Sequence, residues 1–209
     1  MKRILLAVAL AAAAAGASAQ VTFSGGTDQS IVGVFNPSGT ILTTPPVPTG
    51  GKRDALISTT AGLLTVTFLG FEAQDTDTLF KMGFGLLTNK TATPDSSSLS
   101  GIVPATTFDF TFTDTATGAT VGNGGLGGGG MFDSYMVLGS GTGAAFVPYT
   151  KGGLYDLVIG FNDALEVDGD YDDLVIGVRV TAVPEPETYA LMLAGLGMVG
   201  FLTRRRRKA

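Results

Sequence analysis

The chain has 209 residues, 31 of them glycine, and it contains no Cys, His or Trp. These absences exclude a Ser-His-Asp triad, a cysteine nucleophile, a His/Cys zinc site and any disulfide. The net charge is −5, but basic residues gather at the two ends, and residues 20–182 hold six basic against 16 acidic side chains. Nucleic-acid binding is not expected from this balance, because neutralising phosphates requires clustered Lys and Arg.

The first 19 residues have the order of a secretory signal peptide. Two basic residues precede an alanine-rich apolar run, and Ala17 and Ala19 supply the small residues of a cleavage site. We therefore predict export through the Sec translocon, cleavage by signal peptidase after Ala19 and a mature chain that begins at Gln20. An uncleaved membrane anchor is the alternative, although the run is short for the roughly 20 residues that span a bilayer.

Residues 20–182 have the composition of a β-domain. Gly and Thr are abundant, and no helical period of apolar residues is present. Segments rich in Gly, Pro and Ser, which interrupt strands, separate the β-rich runs. We therefore predict an all-β fold, a single antiparallel β-sandwich or jelly-roll-like domain. The predicted strands are Ile31–Phe35, Leu63–Phe71, Leu79–Leu87, Thr107–Thr113, Met131–Leu138, Tyr155–Phe161 and Leu174–Val180.

Two of these runs share the pentapeptide Asp-Leu-Val-Ile-Gly, at 156–160 and again at 173–177. The loop between them, Phe161–Asp172, is too short for a crossover helix unit. The two runs are therefore predicted to pair antiparallel as a hairpin with a long loop.

The loop of this hairpin is a candidate metal site. Between Lys151 and Arg179 the chain has seven carboxylates and no basic residue. Oxygen ligands without His or Cys suit a hard cation, and calcium with its flexible coordination fits best. The alternative is a solvated acidic loop whose Asp side chains form Asx-turns. The candidate ligands are Asp163, Asp168, Asp170, Asp172 and Asp173.

A second acidic group, Glu72 with Asp75 and Asp77, lies between two predicted strands and is interpreted as a hairpin turn. A glycoside hydrolase would need a pair of carboxylates about 5–10 Å apart across a cleft. That alternative predicts that Glu72, Asp163 and Asp170 converge.

Residues 183–209 form a tail with three parts. Val183, Pro184, Glu185 and Pro186 make an extended segment, because proline removes backbone donors and restricts the preceding residue. The uncharged run Tyr189–Leu202 follows, and it predicts a short transmembrane helix. Four Arg and one Lys then end the tail and are expected to stay cytoplasmic.

This order of features resembles the PEP-CTERM sorting signal of Gram-negative bacteria. The resemblance implies an inner-membrane intermediate that is recognised by exosortase, a membrane-embedded enzyme similar to a cysteine transpeptidase. It also implies cleavage near Pro184-Glu185-Pro186 and delivery to the cell surface or the exopolysaccharide matrix. The residues of the motif would then be substrate residues. The acidic loop also resembles the ending of β-rich exported bacterial domains.

Together these features predict a signal peptide at 1–19, an extracytoplasmic β-domain at 20–182 and a sorting signal at 183–209. The expected function is non-enzymatic, a structural or adhesive role at the surface with possible calcium stabilisation. Two alternatives stay open, a calcium-dependent carbohydrate-binding module and a carboxylate-based glycoside hydrolase.

Overall fold

The computed structural model describes residues 20–32, 34–38, 42, 46–72, 78–126, 134–163, 169–183 and 186–206. This part of the chain is mostly β, with antiparallel strand pairs and one α-helix at its C-terminal end. The helix is α1 (Pro186–Arg206). The strands are β1 (Val21–Ser24), β2 (Thr27–Ser30), β3 (Gly50–Arg53), β4 (Leu56–Thr59), β5 (Gly62–Gly70), β6 (Thr78–Met82), β7 (Gly85–Thr88), β8 (Ser98–Val103), β9 (Thr106–Thr107), β10 (Phe110–Asp114), β11 (Thr120–Gly122), β12 (Ser134–Ser140), β13 (Val147–Pro148), β14 (Leu157–Asn162) and β15 (Leu174–Thr181).

The described strands form three sheets. The largest has the order β2-β3-β12-β14-β15-β5-β8, with β13 added beside β12. A second sheet has the order β11-β10-β6-β7, and a third has the order β1-β4-β9.

The main core lies between the large sheet and the two smaller ones. Phe108, Phe110 and Phe112 alternate with polar residues and are buried together, as their period of two predicts. Phe112 stacks on Phe161 of the large sheet, with ring centroids 5.0 Å apart and an interplanar angle of 5°. This contact joins the second sheet to the large one.

The opposite face of the large sheet is also covered. A second apolar cluster there includes Leu42, Leu138 and Tyr149, with Ile31 and Phe35 packed against it. Strand β14 is buried along its whole length, and β15 along most of it. Burial on both faces explains why these strands have continuous apolar runs rather than alternation.

The structure confirms the predicted long-loop hairpin. Strands β14 and β15 pair antiparallel, with Leu157 opposite Val178 and Phe161 opposite Leu174. The two copies of the pentapeptide therefore lie on neighbouring strands of the same sheet.

Three predicted strands are wrong in detail. Thr107–Thr113 is not one strand, because β9 ends at Thr107 and β10 begins at Phe110, and the two lie in different sheets. Leu79–Leu87 is not one strand but the hairpin of β6 and β7, because the chain turns at Gly83 and Phe84. Ile31–Phe35 is irregular where it is described. Its Val32 N–H donates to the Gly169 carbonyl in a loop, at 3.0 Å, instead of to a neighbouring strand.

The tail folds as the 21-residue helix α1. Among the residues that the structure describes, no helix has both the length and the apolar character needed to cross a membrane. The predicted transmembrane helix is corrected accordingly, since its uncharged run, Tyr189–Leu202, is short for a bilayer. The predicted signal peptide, with Ala17 and Ala19, lies outside the described residues.

Candidate functional site

The pairing of β5 with β15 brings two acidic segments to one end of the large sheet. Gly70, the last residue of β5, lies opposite Val175 near the start of β15. Glu72 follows β5 by two residues, and Asp170 and Asp172 precede β15. Antiparallel neighbours place the end of one strand beside the start of the next, so these three side chains meet.

Glu72, Asp170 and Asp172 form a compact group of carboxylates. Each offers one oxygen, and these oxygens all lie within 4.8 Å of one another. Asp170 is 5 % exposed and Asp172 is 1 % exposed, while Glu72 is partly buried. This burial contradicts the solvated-loop alternative for the two aspartates.

The segment after β2, at Asn36 and Ser38, is hydrogen-bonded to both acidic stretches. The Asn36 N–H donates to Asp172 Oδ2 at 2.6 Å, which fixes one carboxylate of the group. The Ser38 N–H donates to the Phe71 carbonyl at 2.8 Å, and the Phe71 N–H donates to Ser38 Oγ at 3.2 Å. The segment is therefore tied to both acidic stretches by hydrogen bonds.

The backbone between the two aspartates has an unusual conformation. Tyr171 has a φ of 63°, in the left-handed region that residues with a bulky side chain rarely adopt. Its hydroxyl lies 3.0 Å from Ser134 Oγ, and burial raises the pKa of this phenol. The buried ring anchors the turn that directs Asp170 and Asp172 towards Glu72.

Gly160 of β14 permits this turn. A Cβ atom at position 160 would lie 2.1 Å from the Tyr171 carbonyl oxygen, which is closer than non-bonded atoms approach. The glycine that ends the first pentapeptide therefore has a packing role at the acidic loop.

The remaining predicted ligands are not members of this group or lie outside the described residues. Asp163 and Asp173 are each 2 % exposed, but they are not members of the Glu72 group. Asp173 Oδ2 instead accepts the Asp163 N–H at 2.6 Å, a contact that closes the end of the hairpin. Asp168 lies outside the described residues. The predicted five-residue ligand set is thus divided, and calcium binding stays a prediction.

The sequence places Glu72 near Asp170 only under the hydrolase alternative and does not predict it as a metal ligand, because the acidic stretch after β5 is interpreted as a separate hairpin turn. The sequence holds no local signal for the pairing of Leu63–Phe71 with Leu174–Val180, only a shared composition. Both runs are long and rich in β-branched or aromatic residues, as neighbouring central strands commonly are.

The tail presents its residues to solvent. Val183 is 48 % exposed, and the described apolar side chains of α1, such as Leu191 and Phe201, are 74 % and 65 % exposed. Pro186 begins α1, a position that suits proline because the first helical N–H has no intrahelical partner. Pro184 and Glu185 lie outside the described residues.

The fold and the tail define a β-domain that carries a C-terminal sorting segment. A family model described as the PEP-CTERM protein-sorting motif matches residues 182–207. This match confirms the resemblance found in the sequence, and it marks the chain as an exported protein that exosortase targets and that is anchored at the membrane before processing. Comparison with curated proteins and with solved structures finds no match to the chain.

Proposed function

We propose that this chain is a non-enzymatic β-sandwich protein with a structural or adhesive role at the surface of a Gram-negative cell or in its exopolysaccharide matrix. The observation that carries the proposal is the sorting motif at residues 182–207, joined to a domain of antiparallel sheets. The absence of His and Cys from the sequence supports a non-catalytic role.

The exposed helix supports a membrane-bound intermediate. Its apolar side chains are spread around the helix rather than gathered on one face. Contact with a membrane would shield these side chains from water without the helix having to cross it, and the Arg side chains at its end can extend to the aqueous boundary. Exosortase would then find the Pro-Glu-Pro segment beside the membrane.

Substitution of the motif tests this role. In cells that contain exosortase, Glu185→Ala should leave the protein in the membrane fraction, because the recognition segment is altered. Glu187→Ala, two residues further along the tail, is the matched control and should be released like the unchanged chain. Equal release of both variants would contradict recognition through Glu185.

We also propose that Glu72, Asp170 and Asp172 bind calcium and hold the acidic loop to the end of β5. Two oxygens bound to one calcium ion at about 2.4 Å can lie as much as about 5 Å apart, which suits the observed spacing. The site would join segments separated by about a hundred residues in sequence. Its effect would therefore be on the stability of the β-domain.

Calcium should raise the melting temperature of the full chain. With a Kd of about 0.1–1 mM, in the range of extracellular sites, about 10 mM calcium stabilises the folded state by about 1.4–2.7 kcal/mol. Glu72→Gln should remove this gain, while Asp109→Asn, which changes an exposed carboxylate outside the group, should keep it. Calorimetric titration that shows neither heat nor stabilisation at millimolar calcium would contradict the site.

The two alternative functions have less support. Calcium-dependent carbohydrate binding predicts glycan-array signals that a chelator removes, whereas a structural role predicts none. A glycoside hydrolase required Glu72, Asp163 and Asp170 to converge in a cleft. Glu72 and Asp170 offer oxygens within 4.8 Å of each other, while Asp163 is not a member of that group. Neither Glu72 nor Asp170 lines either of two surface cavities among the described residues. We do not propose hydrolysis.

A further inference from the structure

Strand β8 is one edge of the large sheet in the described part of the chain. It pairs with β5 on one side, from Val103 opposite Gly62 to Ser98 opposite Thr67. Its sequence, Ser-Leu-Ser-Gly-Ile-Val, contains no charge and no proline. Ile102, near its end, is 70 % exposed. An edge strand of this kind can pair with a strand of another chain, because it lacks the charged residues and prolines that prevent such pairing.

The ladder shows which peptide groups of β8 point outward. The Phe68 N–H donates to the Ser97 carbonyl at 2.9 Å, just beyond the last paired residues, Thr67 and Ser98. This one bond shows that Phe68 and Ser97 occupy a hydrogen-bonding position of the ladder. Such positions alternate along an antiparallel ladder. The N–H and C=O groups of Leu99, Gly101 and Val103 therefore face β5. Those that face away from it belong to Ser98, Ser100 and Ile102.

The other edge of the sheet is protected. In β2, Asp28 forms an ion pair with Lys52, with 2.5 Å between Oδ1 and Nζ. Asp28 Oδ2 also accepts the Gly143 N–H at 2.9 Å. Charged side chains on a short edge strand discourage pairing with another chain. The two edges thus differ in whether a further strand is tolerated.

We propose that β8 pairs with β8 of a second copy of this chain, antiparallel and about a two-fold axis through Ser100. In this register Ser98 lies opposite Ile102 of the partner subunit, and Ser100 lies opposite Ser100 of the partner subunit. The outward peptide groups of Ser98, Ser100 and Ile102 then all form hydrogen bonds between the subunits. Side chains on one face of the sheet in one subunit lie on the same face in its partner. A shift of the axis by one residue, from Ser100 to Gly101, would bring Pro104, which has no N–H, into the ladder.

A second copy suits this edge better than an unrelated strand for two reasons. A two-fold contact uses the same surface on both subunits. The outward peptide groups of one β8 find all their partners on the β8 of the second copy, so the strand is self-complementary. The strand itself carries no charge, so pairing two copies brings no like charges opposite each other in the ladder.

Cross-linking tests the register directly, because the chain has no cysteine of its own. Opposite residues in a hydrogen-bonded pair have Cα atoms about 5.5 Å apart, within the range of a disulfide. Ser100→Cys in the full chain should therefore form a covalent dimer under mild oxidation. Ser30→Cys, an exposed serine on the protected edge, is the matched control and should stay monomeric. The comparison also separates this contact from self-association of α1, which would not bring residues 100 together.

A second pair of variants tests the edge without a new disulfide. Ile102→Lys adds a charge beside the axis and should shift the Ser100→Cys chain from dimer to monomer. Leu154→Lys, at an exposed leucine in a turn, should leave cross-linking unchanged. The proposal is overturned if Ser100→Cys cross-links no faster than Ser30→Cys, or if a disulfide between residues 30 and 100 dominates when the two variants are mixed.

Discussion

Asn123 and Tyr135 connect three parts of the core through their polar atoms. Asn123 Nδ2 donates to the carbonyls of Ile57 and Phe108, at 2.6 and 2.7 Å, and its Oδ1 accepts the Ile57 N–H at 2.8 Å. The Tyr135 hydroxyl donates to the Ala55 carbonyl and accepts the Gly124 N–H at 2.7 Å. These side chains satisfy backbone groups where the third sheet meets the glycine-rich segment.

Burial raises the pKa of Tyr135 to about 12, and this shift predicts how stability changes in alkali. The folded state keeps the phenol protonated while the unfolded chain ionises near the ordinary pKa of 10. The stability contributed by this group is complete below pH 10 and is lost as the pH rises towards 12, by roughly 1.4 kcal/mol per pH unit.

The variant Tyr135→Phe isolates the contribution of the Tyr135 hydroxyl to the free energy of unfolding. The variant should be less stable by about 1–3 kcal/mol at pH 7, because it leaves buried backbone groups without their partner. The difference from the unchanged chain should shrink between pH 10 and 12. Urea unfolding followed by circular dichroism at several pH values measures both effects, and a difference that stays constant across this range would refute the assignment.

At the level of strands and loops, Gly160→Ala should disturb the acidic loop. The added Cβ would clash with the Tyr171 carbonyl, and relief requires movement of the turn between Asp170 and Asp172. We expect a loss of about 1–3 kcal/mol in the free energy of unfolding, together with weaker stabilisation by calcium. Gly83→Ala, where a Cβ meets no atom within 4 Å, is the control and should change neither quantity. A Gly160→Ala chain as stable as the control would show that the close approach is easily relaxed.

Local pattern predicted the elements whose hydrogen-bond partners are near in sequence. The alternation predicted the buried Phe110 and Phe112 of β10, with Phe108 buried just before the strand, and the repeated pentapeptide predicted the hairpin of β14 and β15. The period of two and the loop length carry this information within a few residues. These predictions therefore needed no knowledge of the rest of the chain.

Contacts between distant segments could not be predicted in the same way. Glu72 meets Asp170 only because β5 pairs with β15, and the sequence contains no local signal for that choice of neighbour. Ile31–Phe35 has the β-rich composition of a strand, but the N–H groups of Ile31 and Val32 donate to loop carbonyls, and Asn36 just after it contacts the acidic group. Tertiary context overrides propensity at both places.

Considered as a whole, the molecule joins a packed β-domain to an exposed helix with a separate role. The domain has its own core on both faces of the large sheet, while the described apolar side chains of α1 remain exposed. Loss of the tail should therefore leave the domain folded. Processing at residues 183–186 would separate a stable cargo from the segment that directs its transport.

The mass of the protein recovered from its producing cell tests this account most directly. Intact mass measurement, with and without exosortase, reports both ends of the chain at once. We predict a mature chain that begins at Gln20 and ends near Pro184-Glu185-Pro186 when exosortase is present, and one that still carries its terminal arginines in the membrane fraction when exosortase is absent. Recovery of Arg204–Arg207 on the protein from exosortase-containing cells would contradict the account.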